Sequence, residues 1–161
     1  MVQTFRSITV ILVSLALLIS GSSMLGTLLA VRMSIEGFAH QWIGPILAFH
    51  SVGFVAGTLY AAGIIRRVGH IRSFAAFAAI ACVSALSHPL YINEISWAAL
   101  RAVTGFCSAG LMMVMESWIN DRASNEIRGT IMATYSATSY LAQGGGQFTL
   151  GLSSPQTYVL F

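Results

Sequence analysis

RAVTGFCSAGLMMVMESWINDRASNEIR, residues Arg101 to Arg128, decides how this chain is read. An apolar helix of membrane length carries an arginine inside it and runs out into a charged loop. An ionisable side chain at membrane depth costs roughly 2.5–3.5 kcal/mol even on the gentlest insertion scales, so it normally faces a protein interior or a wet cavity. On a wheel at about 100° per residue, Ser108 and Met112 lie within about 20° of Arg101, Gly105 and Met115 within about 40°, and Glu116 within about 60°. Ala99, Val103, Phe106 and Cys107 occupy the other, apolar side. Arg101 and Glu116 share a face but not a site, because fifteen positions amount to about 22 Å at a rise of about 1.5 Å. Two readings of Arg101 are open: it faces a cavity, or it snorkels to its nearer interface.

Composition sets the environment. Hydrophobic residues make up 56% of the chain and charged ones 8%, where an ordinary soluble domain has about 25% charged residues. Uncharged runs longer than the roughly 18 residues that mark a transmembrane helix point to a polytopic, all-α bundle in a lipid bilayer. All eight basic residues are arginine, and the net charge is +3. Most of them sit in links, which suits orientation in a membrane, and no basic run is long enough to suggest nucleic acid. Cys82 and Cys107 fall in apolar spans without CxxC or Cys/His spacing, so they read as small buried hydrophobes. Neither a metal site nor a cofactor is expected. An intramembrane enzyme would need paired acids, metal ligands or a Ser/His dyad, and His50 and His88 among scattered serines do not supply one.

The spacing predicts five spans. The first, Ile8 to Val31, follows Arg6 and is too long for the core of a signal peptide. Gly21, Ser22, Ser23 and Gly26 give it a patch for close approach or bending. A polar link with Arg32, Glu36 and His40 leads to the second, residues 42–65, which opens on Trp42 as an interfacial anchor. Gly53 and Gly57 form a GxxxG packing stripe, as Gly105 and Ala109 do on the fourth span. His50 lies near the same stripe and is open to two roles, a protonatable site in a pathway or a neutral histidine bonded to a neighbouring helix. The third span, residues 73–92, is disrupted at Ser87-His88-Pro89, and the fourth runs over residues 95–119. The fifth, residues 129–153, places Ser136, Tyr140, Gln143 and Gln147 within about 60° of one another. That stripe is too polar for lipid and serves either a helix interface or a cavity, with Gly144, Gly145 and Gly146 beside it. Tyr158 to Phe161 read as the start of a sixth span, so the chain reads as a fragment.

Arginine placement orients the bundle. Arg6, then Arg66, Arg67 and Arg72, then Arg122 and Arg128 fall on one side, and Arg32 falls on the other. The N-terminus is expected in the cytoplasm of a bacterial-type inner membrane.

These residues resemble the amino-terminal half of a major facilitator superfamily transporter, a fold of twelve helices in two six-helix halves. The family carries a signature G-x-L-x-D-R-x-G-R-R between its second and third helices. Arg67, Gly69 and Arg72 match it or nearly so, His70 stands where a basic residue is usual, Gly63 is one place off, and Arg66 replaces the aspartate. In the family that aspartate belongs to a charge relay with an acid at the cytoplasmic end of the fourth helix, for which Glu116 and Asp121 are the candidates. Arg101, Gly105 and Ala109 resemble the fourth-helix signature, whose arginine faces the central cavity in similar proton-coupled transporters. Glu126-Ile127-Arg128-Gly129 is similar to the E-x-R-G element opening the fifth helix. The glycine motif of the antiporters is matched without its proline.

The resemblance implies a secondary active transporter of a small solute, working by alternating access and coupled to protons, with efflux one of the directions open. Arg101, Glu116, Tyr140, Gln143 and Gln147 are then the candidates for solute contact or coupling. Arg66, Arg67, Gly69, His70, Arg72 and Asp121 are the candidates for a conformational latch, and Gly53, Gly57, Gly105 and Ala109 for helix packing. Its partners are the bilayer, the solute, protons and the remaining helices of the full-length protein. The alternative is a non-transporting membrane subunit, or a truncated product, acting through helix association.

Overall fold

A computed structural model describes residues 2–122 and 127–152, with side chains over 8–121 and 127–151. Gly69 shows how tightly its helices are joined. It is the whole connection between α2 (His40–Val68) and α3 (His70–Ser87), with φ 91° and ψ 153°. That conformation is open essentially to glycine alone. Its N–H donates to the Ile65 carbonyl at 2.8 Å, and its own carbonyl accepts from the Ser73 N–H at 3.0 Å, so the two helices turn about one residue.

The fold is all-α. The other helices are α1 (Val2–Ile35), α4 (Glu94–Arg122) and α5 (Arg128–Thr149), with short 3-10 turns at His88–Leu90 and Leu150–Leu152. Four segments are long and apolar enough to cross a membrane: Ile8–Ile35, His40–Val68, His70–Leu90 and Glu94–Asp121. The fifth helix, diluted by its serines, threonines, glutamines and glycines, is not among them. The beginning of a sixth span at Tyr158 lies outside the described residues.

Two ends differ from the spacing-based expectation. The first helix runs on to Ile35, which puts Arg32 inside it rather than in a link, only 3% exposed. An ion pair to Glu36 one turn on offsets that burial, and Gly37, at φ 78°, stops the helix. The third helix stops at Ser87 and tightens into the 3-10 turn His88–Leu90, where Pro89 has no N–H to carry the α-helical ladder on. The His88 imidazole Nδ1 lies 2.9 and 3.1 Å from the Ser84 and Ala85 carbonyls. Trp97 Nε1–H donates to the His88 carbonyl at 3.0 Å, tying α3 to α4. Asn93 Oδ1 accepts from the Ser96 N–H at 2.8 Å and caps α4.

Helix α4 packs along α2 and α3, while α5 packs along α1. The cores are two. Ile11, Leu15, Ile65, Phe77, Leu111, Val114, Met115, Ile119 and Ile131 join the helices toward the Gly69 end. Leu29, Met33, Phe38, Ile46 and Trp97 join them at the other end. Between these clusters along α4 lie Arg101, Thr104 and Ser108, all buried. A polar layer is therefore held between two apolar ones.

Candidate functional site

The α2/α4 crossing fixes the site. A Cβ on Gly53 would overlap the Ala102 carbonyl, and one on Gly105 would overlap the His50 carbonyl. A Cβ on Gly57 would stand 2.7 Å from both the Ala109 Cβ and the Phe106 carbonyl oxygen. Gly53, Gly57, Gly105 and Ala109 thus share one backbone-to-backbone contact, the arrangement small residues permit between membrane helices. It carries His50 and Arg101, one turn before Gly105, to the same level of the bundle.

Arg101 is 7% exposed, and its Nε is buried with no hydrogen-bond partner among the described residues. It does not snorkel to an end. It lines a cavity of about 260 Å³ with Leu17, Leu18, Gly21, Ser22 and Leu25 of α1, His50 of α2, Cys82 of α3, and Thr104 and Ser108 of α4. The Thr104 hydroxyl is spent on the Arg101 carbonyl at 2.9 Å. Gly26 keeps the space beside the guanidinium, where a Cβ would stand 4.0 Å from Arg101 Nη2.

A second cavity, of about 290 Å³, continues along α1 toward α5 and shares Leu18, Ser22, His50 and Ser108 with the first. Tyr140 and Gln143 line it, together with Ser139, Phe54 and Met112. The seam between α1 and the α2–α4 pair therefore gathers Arg101, His50, Ser108, Tyr140 and Gln143 around two adjoining cavities.

Gln147 stands apart from that space. Its Nε2 donates to Ser23 Oγ at 2.6 Å, and its Oε1 accepts from Thr27 Oγ1 at 2.9 Å. The Ser20 and Ser23 hydroxyls donate to the Ala142 and Gln143 carbonyls at 3.0 and 2.9 Å. Gly146 presses on the Ser20 backbone, whereas Gly144 and Gly145 face open space. This side of α5 is a polar zipper to α1.

At the Gly69 end, α4 receives two contacts side by side. The Tyr135 hydroxyl donates to Glu116 Oε1 at 3.2 Å, and His70 Nε2 lies 3.0 Å from Ser117 Oγ. Arg66, Arg67, Arg72 and Asp121 are exposed, and among the described residues none of them forms an ion pair. Glu126 lies outside the described residues. Among the described residues the turn thus meets α4 through the His70–Ser117 hydrogen bond.

His50, Thr104, Ser117 and Tyr135 carry more of this geometry than the sequence indicates. The wheel puts Thr104 within about 60° of Arg101, a usable signal. The partners of Ser117 and Tyr135 lie on other helices and leave none.

Over 151 residues, 94% of its length, the chain is 26% identical to the protein named "Uncharacterized MFS-type transporter YcaD" of Escherichia coli O45:K1 (strain S88 / ExPEC), and equally to that of Escherichia coli O81 (strain ED1a). The chain spans 40% of the length of these curated relatives. No family model matches it, and no solved structure does. Similarity to proteins named MFS-type transporters and four membrane-length apolar helices together mark an integral membrane protein, and the helices fit the amino-terminal part of such a transporter.

Proposed function

We propose that this chain supplies the amino-terminal part of a secondary transporter, with one wall of the solute site along the α1 seam. The observation that carries this reading is Arg101, a buried cation on the wall of a cavity whose Nε has no partner among the described residues. A charge held at that depth without a partner demands a polar occupant or water. The relatives' printed name, MFS-type transporter, supports the same class.

In this reading His50, Ser108, Tyr140 and Gln143 meet the solute beside Arg101, while Gln147 holds α5 to α1. Glu116 belongs with the turn rather than the cavity: Glu116–Tyr135 and Ser117–His70 join α5 and the α2–α3 turn to the end of α4. That junction is suited to a latch that opens and closes as two bundles rock about a midplane site. Arginine placement supports a cytoplasmic N-terminus and a cytoplasmic Gly69 turn. Proton coupling belongs to the same proposal.

The test is solute-driven flux by the full-length protein in proteoliposomes, with and without a proton gradient. Arg101→Gln and Ser108→Trp should each abolish flux while the protein still folds, and collapsing the gradient should stop accumulation. Wild-type flux in both variants overturns the site, and accumulation that survives a protonophore overturns the coupling.

A further inference from the structure

We infer that the Arg101 cavity binds a small organic monoanion, a carboxylate with a short apolar body, and that Arg101 is the group that recognises its charge. This rests on the solute-cavity reading above and names its substrate class.

The first step is charge. None of the four described acids lines either cavity. Glu36 is paired to Arg32. Glu94 is exposed and lines a separate apolar groove with Trp42, Phe49 and Ala99. Glu116 is about 22 Å along α4 from Arg101 at ~1.5 Å per residue and bonds to Tyr135, and Asp121 lies beyond it. His50, which lines both cavities, is a base. The described wall therefore offers a fixed cation with a basic neighbour and no counter-ion, at a depth where an uncompensated charge is costly. A guanidinium is well matched to a carboxylate, which it can hold through two parallel N–H···O bonds.

The second step is the rest of the wall. Around Arg101 it is mainly Leu17, Leu18, Met24, Leu25, Ala81 and Ala85. The free hydroxyls are few: Ser22 and Ser108 face the space, while Thr104 is committed to the backbone. A polyhydroxylated solute would leave most of its groups unpaired here, which disfavours it. One charged end and an apolar body fit. At about 260 Å³ the Arg101 cavity falls below the roughly 300–1,000 Å³ of pockets for drug-sized ligands, so the part of the body held beside the guanidinium is short, with the adjoining cavity of about 290 Å³ left to any longer portion.

The same anionic chemistry occurs in lipid phosphate headgroups, and the test separates the two sources. The full-length protein is placed in nanodiscs of pure phosphatidylcholine. Acetate, butyrate, hexanoate and benzoate are titrated against their amides, with binding read from the melting temperature and from equilibrium dialysis of labelled probe. At least one acid should bind tenfold or more tighter than its amide. Arg101→Gln should erase that preference at least tenfold, and Arg101→Lys, which keeps the charge but loses the fork, should retain part of it. Equal binding of acid and amide, or an acid preference that survives Arg101→Gln, overturns the assignment.

If no carboxylate binds, the assignment is likewise overturned, and Arg101 is then paired by an acid elsewhere in the polypeptide. In nanodiscs containing phosphatidylglycerol, native mass spectrometry reads the lipid: its retention by the wild type but not by Arg101→Gln, without carboxylate binding, assigns the anion to lipid and overturns the free acid. Ser108→Trp separates this inference from the reading beneath it. If the plug removes amide and acid binding alike and no charge preference existed, the cavity stands and the anion falls. If the plug leaves probe binding untouched, the cavity reading itself falls.

Discussion

The His50 carbonyl rests against Gly105 so closely that a Cβ on that glycine would overlap it. Two helices are thereby brought to backbone contact one turn from Arg101, and the histidine and arginine are held at one level. Gly105→Leu should therefore separate α2 from α4. Overpacking of this kind costs typically about 1–3 kcal/mol, and more where backbone has to move. A lowered melting temperature of the full-length protein in detergent checks it. Gly63→Ala, where a Cβ meets nothing within 4 Å, should leave the melt unchanged or slightly raised.

Space beside the guanidinium should be as critical as the guanidinium itself. A Cβ at Gly26 stands 4.0 Å from Arg101 Nη2, ordinary contact, so Gly26→Ala should be tolerated. Gly26→Leu should reach into the Arg101 cavity and lower solute flux at least tenfold while the melt shifts little. Flux unchanged in Gly26→Leu would contradict the placement of solute there.

Gln143 and Gln147 share a stripe but should behave differently. Loss of the Gln147 side chain removes bonds to Ser23 and Thr27. Interhelical hydrogen bonds in membranes average about 0.6 kcal/mol and reach about 1.7, so Gln147→Ala should lower the melt modestly and leave KM alone. Gln143→Ala should raise KM several-fold and leave the melt alone. The reverse pattern would exchange their roles.

Gly69 carries the whole α2–α3 connection at φ 91°. Any side chain there adopts a sparsely populated conformation, costing on the order of 1–3 kcal/mol. Gly69→Ala should lower both the melt and the flux, and Gly129→Ala, at a glycine with nothing within 4 Å and no positive φ, should do neither.

The helices themselves are legible because apolar runs interrupted by arginine, glycine and proline state where a chain enters and leaves an apolar layer. The arginine-bearing face of α4 is legible in the same way: Arg101 and Ser108 fall together on the wheel and line one cavity. What periodicity cannot carry is the identity of the facing helix. It gives a direction about one axis, so Gln143 and Gln147 look alike although one lines space and the other is bonded to α1. It also placed Arg32 in a link, because a charge ends an apolar run in sequence while a pairing with Glu36 lets the helix continue. His50 gains its meaning only from Gly105, a contact made across fifty-five positions of sequence.

The central claim, that the α1 seam is a water-filled solute cavity and the far side of α4 is not, is tested most directly by cysteine accessibility in the full-length protein in its own membrane. With Cys82 and Cys107 replaced by alanine, Ser108→Cys and Val103→Cys are each exposed to a membrane-impermeant maleimide. Ser108 is 7% exposed but lines both cavities, whereas Val103 is 39% exposed on the apolar side. Labelling of Ser108→Cys with Val103→Cys inert is the expected result; labelling of Val103→Cys with Ser108→Cys inert would contradict the account.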